Sequence, residues 1–168
     1  MNCLVTGDVG AGKTSWCRDE VSRLARAGVS AGGILSLAVF EDGVKTGYEV
    51  LDIRTGRTAM LGRVIDRAGF SGERVGMYVL SESGLAFGRR AIEEAVENGC
   101  EVVFLDEMGH LELTGRGFAE SASLAYRNAT RTVSVVRRSL LPEYFRTFFP
   151  STVRPGDPRI SNVLAELR

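Results

Sequence analysis

Gly7-Asp8-Val9-Gly10-Ala11-Gly12-Lys13-Thr14 sets glycines, a lysine and a hydroxyl at the spacing Gly, four residues, Gly-Lys-Thr, and these residue types suit the capture of a phosphate tail. Several backbone N–H groups must converge on one point, and side chains there would block the approach, hence the glycines. Lys13 adds a mobile ammonium for β- and γ-phosphates, and the Thr14 hydroxyl is placed to ligate a bridging Mg²⁺. The helix that begins here contributes its positive dipole end.

A second stretch carries complementary chemistry. Val102-Val103-Phe104-Leu105 is an unalternating apolar run that ends in Asp106-Glu107, as expected of a parallel strand buried on both faces and delivering acids to its carboxyl edge. Asp106 is placed to order the water shell of the metal, and Glu107 to orient and polarise a water for attack on a γ-phosphorus. Adjacent acids at a strand end also occur on solvated surfaces, and the phosphate loop upstream decides for the functional reading. Thr132 to Val136 is another buried strand, and it delivers Arg137-Arg138 to the edge where open parallel sheets bind ligands. Either arginine is a candidate phosphate sensor or finger; the alternative is a surface pair opening the next helix.

The flanks of the loop have the order that the motif requires. Asn2 to Thr6 reads as a short buried strand. From Lys13 to Ala27 the residues Cys17, Val21, Leu24 and Ala25 fall at helical spacing, and Gly28 supplies a left-handed stop. Ala31 to Phe40 reads as a strand, Asp42-Gly43 as a hairpin turn, Val44 to Ile53 as its return, and Thr58 to Leu61 as a third strand. This antiparallel meander, about residues 37–62, either covers the sheet edge or leans over the nucleotide, and its Lys45, Arg54 and Arg57, with Arg63 beyond, read as mostly solvated. Arg67 to Arg74 reads as a loop and Val75 to Leu80 as a strand. Ser81 or Ser83 caps a helix ended by Asn98-Gly99. Helices are predicted over Gly117 to Asn128 and Ser139 to Phe149, a last strand over Ser151 to Arg154, a turn at Pro155 to Pro158, and a terminal helix over Asn162 to Arg168.

A chain of 168 residues with 44% hydrophobic content suits one domain, residues 1–168. Lys+Arg and Asp+Glu both number 21, so no global field recruits nucleic acid or an anionic membrane. Cys3, Cys17 and Cys100 are widely spaced fillers of the kind seen in a reducing cytoplasm. No apolar run approaches the roughly 20 residues of a membrane span, and no signal-peptide pattern opens the chain; a cytoplasmic monomer is the expectation. His110 is the single histidine and has no partner in sequence for metal binding, while Trp16 reads as packing.

The chain resembles the small stand-alone P-loop nucleoside-triphosphate phosphatases of the cancer-related nucleoside-triphosphatase type. The resemblance runs to about Arg138, through Gly7 to Ser15, Gly32-Gly33-Ile34, Gly47 to Asp52 with Thr55-Gly56, Val75 to Val79, and Asp106-Glu107-Met108-Gly109-His110-Leu111-Glu112-Leu113. It implies an α/β, three-layer, RecA-like domain with a mostly parallel central sheet and the meander as an insertion. It also implies slow, Mg²⁺-dependent removal of the γ-phosphate from ATP, GTP and other nucleoside triphosphates. Carried over by position, Gly7, Asp8, Val9, Gly10, Ala11, Gly12, Lys13, Thr14 and Ser15 bind the nucleotide, Lys13 and Glu107 are catalytic, and Thr14 and Asp106 hold the metal. Glu112 matches the family pattern without a derivable role. Val44-Lys45-Thr46 departs from it, since arginines tend to precede the Gly-aromatic pair. Two alternatives share the loop: a nucleotide or small-molecule kinase, which needs an acceptor pocket and a lid such as Arg63 to Arg74, and a switch or adaptor with slow hydrolysis.

Overall fold

The computed structural model describes residues 1–150 and 163–167, the latter as backbone. Strand β1 (Asn2–Gly7) runs into the loop and helix α1 (Lys13–Arg26), followed by β2 (Ala31–Glu41), β3 (Val44–Asp52) and β4 (Thr58–Val64). A short hairpin, β5 (Arg74–Val75) and β6 (Tyr78–Leu80), leads to α2 (Glu82–Glu97), β7 (Val102–Leu105) and the single turn α3 (His110–Leu113). Then come α4 (Ala119–Asn128), β8 (Arg131–Arg137), α5 (Leu141–Phe148) and β9 (Val163–Leu167). The strands form one sheet in the order β5-β6-β4-β3-β2-β7-β8-β1-β9. From β2 through β9 every pairing is parallel, and from β2 through β5 every pairing is antiparallel.

The parallel half explains why its strands are continuously apolar. Cys3, Val5, Phe104, Val133 and Val135 face α1, where Cys17 and Leu24 complete one core. Leu4, Val103, Leu105 and Val136 face the opposite way, into the core formed with Ile92, Ala122 and Tyr144 of α2, α4 and α5. Alternate residues of each strand are therefore both buried, which gives three layers. The three cysteines are buried and unbridged. Among the described residues no helix is long and apolar enough to cross a membrane.

Local chemistry sets the turns. Asp42 and Gly43, with φ of 50° and 77°, make the two-residue left-handed turn that matches strand twist. The Ser81 hydroxyl accepts the Gly84 N–H at 3.2 Å and caps α2. Arg54 pairs with Glu94 at 2.5 Å and Arg63 pairs with Glu41, so these two cations are tied down where the sequence suggested solvation.

Several elements differ from expectation. The run from Val75 to Leu80 is broken at Gly76-Met77, where Gly76 (φ 59°) turns the chain into the β5–β6 hairpin. The turn α3 falls in a stretch too short to show a helical period. The predicted helix over Ser139 to Phe149 opens as a 3₁₀ turn over Arg138–Leu140 before α5. Residues 163–167, predicted helical, instead form β9 beside β1, where an open edge of backbone groups is available for pairing. The predicted strand at Ser151 to Arg154 and turn at Pro155 to Pro158 lie outside the described residues.

Gly33, inside β2, has φ 87°, and a Cβ there would overlap the backbone of Phe104 on β7. Gly33→Ala combines backbone strain with steric overlap and is expected to lower unfolding stability by about 3 kcal/mol or more. Gly99→Ala, at φ 66° with no atom within 4 Å of the added Cβ, is expected to lower it by about 1 kcal/mol. Urea denaturation of both variants checks this, and equal losses would remove the close β2–β7 approach as the cause.

Candidate active site

Parallel strands bring their carboxyl ends to one edge. Gly7 of β1 is in register with Arg137 of β8, and Ile34 of β2 with Leu105 of β7, so the phosphate loop, Asp106 and Arg137 emerge side by side. Gly10 and Gly12 take φ near +80°, which lets the loop fold tightly against the start of α1. The first turn of α1 contains no acidic residue, leaving its N–H groups and dipole free of a competing carboxylate.

Lys13 bends back over this loop, its Nζ donating to the Gly7 and Asp8 carbonyls at 3.2 and 2.5 Å. Burial pushes its ammonium below the ordinary lysine range, while the Glu107 and Asp106 charges oppose that shift. The ammonium is thus held by two neutral carbonyl acceptors and by no carboxylate bond.

Asp106 is 1% exposed. Its Oδ2 accepts from the Thr14 hydroxyl at 2.9 Å and from the Ser36 N–H at 3.0 Å, and its Oδ1 accepts from the Glu107 N–H at 2.9 Å. Burial first, and the Glu107 charge second, push its carboxyl up to about 7 despite those three donors. Thr14 and Asp106, assigned to one metal from positions 92 residues apart, are therefore in direct contact.

Glu107 has φ 65°, a left-handed conformation that costs a non-glycine residue about 1–2 kcal/mol. Successive residues of an extended strand point to opposite faces. The left-handed kink breaks that alternation, and Asp106 and Glu107 both line a cavity of about 540 Å³ together with Lys13, Thr14, Ser15 and Arg137. Arg138 does not line it, which separates the two arginines that the sequence left equivalent. His110 lines a neighbouring cavity rather than this one, and Trp16 packs partly buried against the α1-side core.

Three contributions escape sequence reasoning. Ser36 places its N–H on Asp106 across 70 residues of chain, and β2 carries no local sign of that role. Tyr48 lines the cavity from β3, with the Lys45 Nζ 3.7 Å from its ring centroid, so the departing Val44-Lys45-Thr46 segment still presents a cation here. Glu112, 4% exposed, accepts the Gly109 N–H at 3.0 Å and the Phe118 N–H at 3.2 Å. It fastens the chain after Glu107 to the start of α4. Gly117 leaves room for it, since a Cβ there would overlap Glu112 Oε1.

A protein family described as NTPase matches residues 2–153. Proteins named nucleoside-triphosphatase THEP1 are similar: that of Methanopyrus kandleri is 33% identical over 135 residues, 80% of this chain and 72% of the relative. That of Methanosarcina barkeri is 29% identical over 141 residues, covering 83% and 78%. Among solved structures, a human cancer-related nucleoside triphosphatase superposes with a TM-score of 0.66 at 21% identity, covering 85% of this chain and 82% of that one. THEP1 from Aquifex aeolicus gives 0.65 at 21% identity, covering 88% and 85%. At that identity the superpositions establish the shared fold, an α/β P-loop-type architecture with parallel central strands.

Burial pushes the Glu112 carboxyl from 4.5 up to about 7, so the folded chain binds that proton more tightly than the unfolded chain. The associated stability is fully present below about pH 4 and is lost as pH rises through about 7, a swing of about 3 kcal/mol. Glu112→Gln turns an NH₂ toward one of the two backbone N–H groups and is expected to be less stable than wild type by about 1–3 kcal/mol at pH 5. That difference is expected to shrink or reverse by pH 8 in urea titrations without divalent cation; a gap independent of pH would contradict the assignment.

Proposed function

The chain belongs to the NTPase family, and from that premise we propose that its edge cavity binds nucleoside 5′-triphosphates and directs water onto the γ-phosphorus, releasing nucleoside diphosphate and phosphate. The observation that carries this reading is the 2.9 Å contact between Thr14 and the buried Asp106, with Lys13 and Glu107 lining the same cavity.

The phosphates bind along Gly7 to Ser15, whose amides and the Lys13 ammonium balance their charge. Thr14 and Asp106 offer a hydroxyl and a carboxylate, the hard oxygen donors that suit Mg²⁺. The upward push on Asp106 fits them, because its three direct donors are neutral and none is a cation. Mg²⁺ bound there supplies positive charge beside the phosphate oxygens. Glu107 orients the water and takes its proton as the new O–P bond forms, and the bond to the β,γ-bridging oxygen breaks with its electrons leaving on the diphosphate. Arg137, exposed at the cavity wall, is the arginine placed to meet γ-phosphate charge. Among the described residues no arginine is buried in this cavity, and turnover is expected to be slow, since such a group contributes about 10³ to 10⁵.

The rim favours a loose choice of base. Val9 is 77% exposed and Phe40 61% exposed, and both line the cavity; an apolar rim offers a flat ring contact area without reading its hydrogen-bonding edge.

Glu107→Gln is expected to lower phosphate release from ATP and GTP by about 10² to 10⁴ while nucleotide affinity stays within a few-fold. Lys13→Ala is expected to lose affinity itself. Phosphate release with equilibrium binding separates the two effects, and undiminished release in Glu107→Gln would remove Glu107 from the chemistry.

A further inference from the structure

A second cavity, of about 450 Å³, adjoins the first. No residue from Gly7 to Ser15 lines it, yet Ser36, Tyr48, Glu107, Gly109 and Arg137 line both. The two spaces therefore meet at Glu107, and the second lies away from the phosphate loop. Its volume falls within the roughly 300–1,000 Å³ typical of small-molecule sites.

Much of the wall is apolar. Leu61, Leu85 and Phe118 come from the core, and Val75 and Tyr78 come from the β5–β6 hairpin. The Tyr78 ring meets Tyr48 edge-on, centroids 5.0 Å apart. Aromatic and branched walls gain by contact with a ring. One polar group remains unexplained. Ser36 is 6% exposed and its Oγ has no hydrogen-bond partner, an arrangement that calls for an occupant. It stands in the wall common to both cavities.

We infer that this second cavity is a phosphoryl-acceptor site for an uncharged, ring-bearing alcohol whose hydroxyl takes the place of water at Glu107. The inference rests on the triphosphate reading of the first cavity and adds a phosphotransferase activity to it. The acceptor oxygen bonds to the γ-phosphorus as the bond to the β,γ-bridging oxygen breaks; the diphosphate leaves with that electron pair, and the hydroxyl proton passes to Glu107. The ring lies among Tyr48, Tyr78 and Phe118. An anionic acceptor is disfavoured because the Glu107 carboxylate lines the space and, among its described lining residues, Arg137 is the one guanidinium and no lysine is present.

The test uses the full chain with Mg²⁺ and γ-labelled ATP. Ribonucleosides, pyridylmethanols and phenols are supplied at millimolar concentration, with nucleoside monophosphates in a separate arm. Label on a neutral ring alcohol, accompanied by falling phosphate release as that acceptor saturates, is the expected result. Val75→Trp fills the cavity from an exposed position and is expected to reduce transfer at least tenfold while phosphate release to water stays within twofold. Phosphate release without transfer to, or inhibition by, any neutral acceptor overturns the acceptor site and leaves hydrolysis standing. Transfer confined to monophosphates, or unaffected by Val75→Trp, also overturns it. Transfer without release in the absence of acceptor supports the site and removes water as a substrate; neither reaction removes both readings.

Discussion

Asp106 must keep its carboxylate inside the protein, and the surrounding structure is arranged around that demand. A buried carboxylate is expensive unless hydrogen-bonded, and this one draws its donors from three places: the Thr14 side chain at the start of α1, the Ser36 N–H on β2, and the Glu107 N–H in the kink after β7. The loop, the neighbouring strand and the kink are thereby fixed relative to one oxygen pair. Even so, the carboxyl is pushed up to about 7, because neutral dipoles relieve burial less completely than a cation does. The arrangement is left with a standing preference for positive charge at the point where Thr14 adds a further oxygen.

The kink at Glu107 follows from the same geometry. A strand cannot present two consecutive side chains to one cavity without breaking its pleat, and the left-handed φ of 65° does that. Strain of this kind persists only when the surroundings enforce it. Here the Asp106 carboxylate accepts the Glu107 N–H from one side, the Met108 N–H reaches the Val135 carbonyl at 3.1 Å, and Glu112 holds Gly109 from the other. Glu112 therefore acts on the site through backbone placement, which is why its position in the Asp-Glu-x-Gly-x-x-Glu-Leu run yields no role from sequence alone.

What the sequence made legible follows the distance over which each feature is determined. The phosphate loop is specified within eight consecutive residues, and β7 within a run apolar enough to require burial on both faces, so the loop, Asp106 and the parallel core could be read directly. Ser36 and Tyr48 could not, because they reach the site through pairings of β2 with β7 and of β2 with β3. The β5–β6 hairpin was hidden by two-residue and three-residue strands around Gly76, shorter than any detectable period. Residues 163–167 have helix-compatible composition, yet the open edge of β1 governs their state; a short segment's propensity is weaker than a row of backbone partners. Arg137 and Arg138 are equivalent in sequence and separated by where β8 ends.

Glu107 is the one carboxylate that lines both described cavities, and that shared position constrains the chemistry. On the proposed reading, a base placed between a phosphate site and a largely apolar chamber has few polar neighbours to order water on the chamber side, so attack by water depends on solvent arriving through the open phosphate cavity. Any hydroxyl compound that fills the chamber reaches the same carboxylate already positioned, with its rotational freedom spent on binding rather than on the reaction. The slow hydrolysis expected on that reading is then a property of which nucleophile the wall favours, independent of how well the loop holds the triphosphate. On that reading, the apolar lining of the second cavity and the lack, among the described residues, of a buried arginine in the first act in the same direction: both limit water attack, and only the former discriminates between nucleophiles.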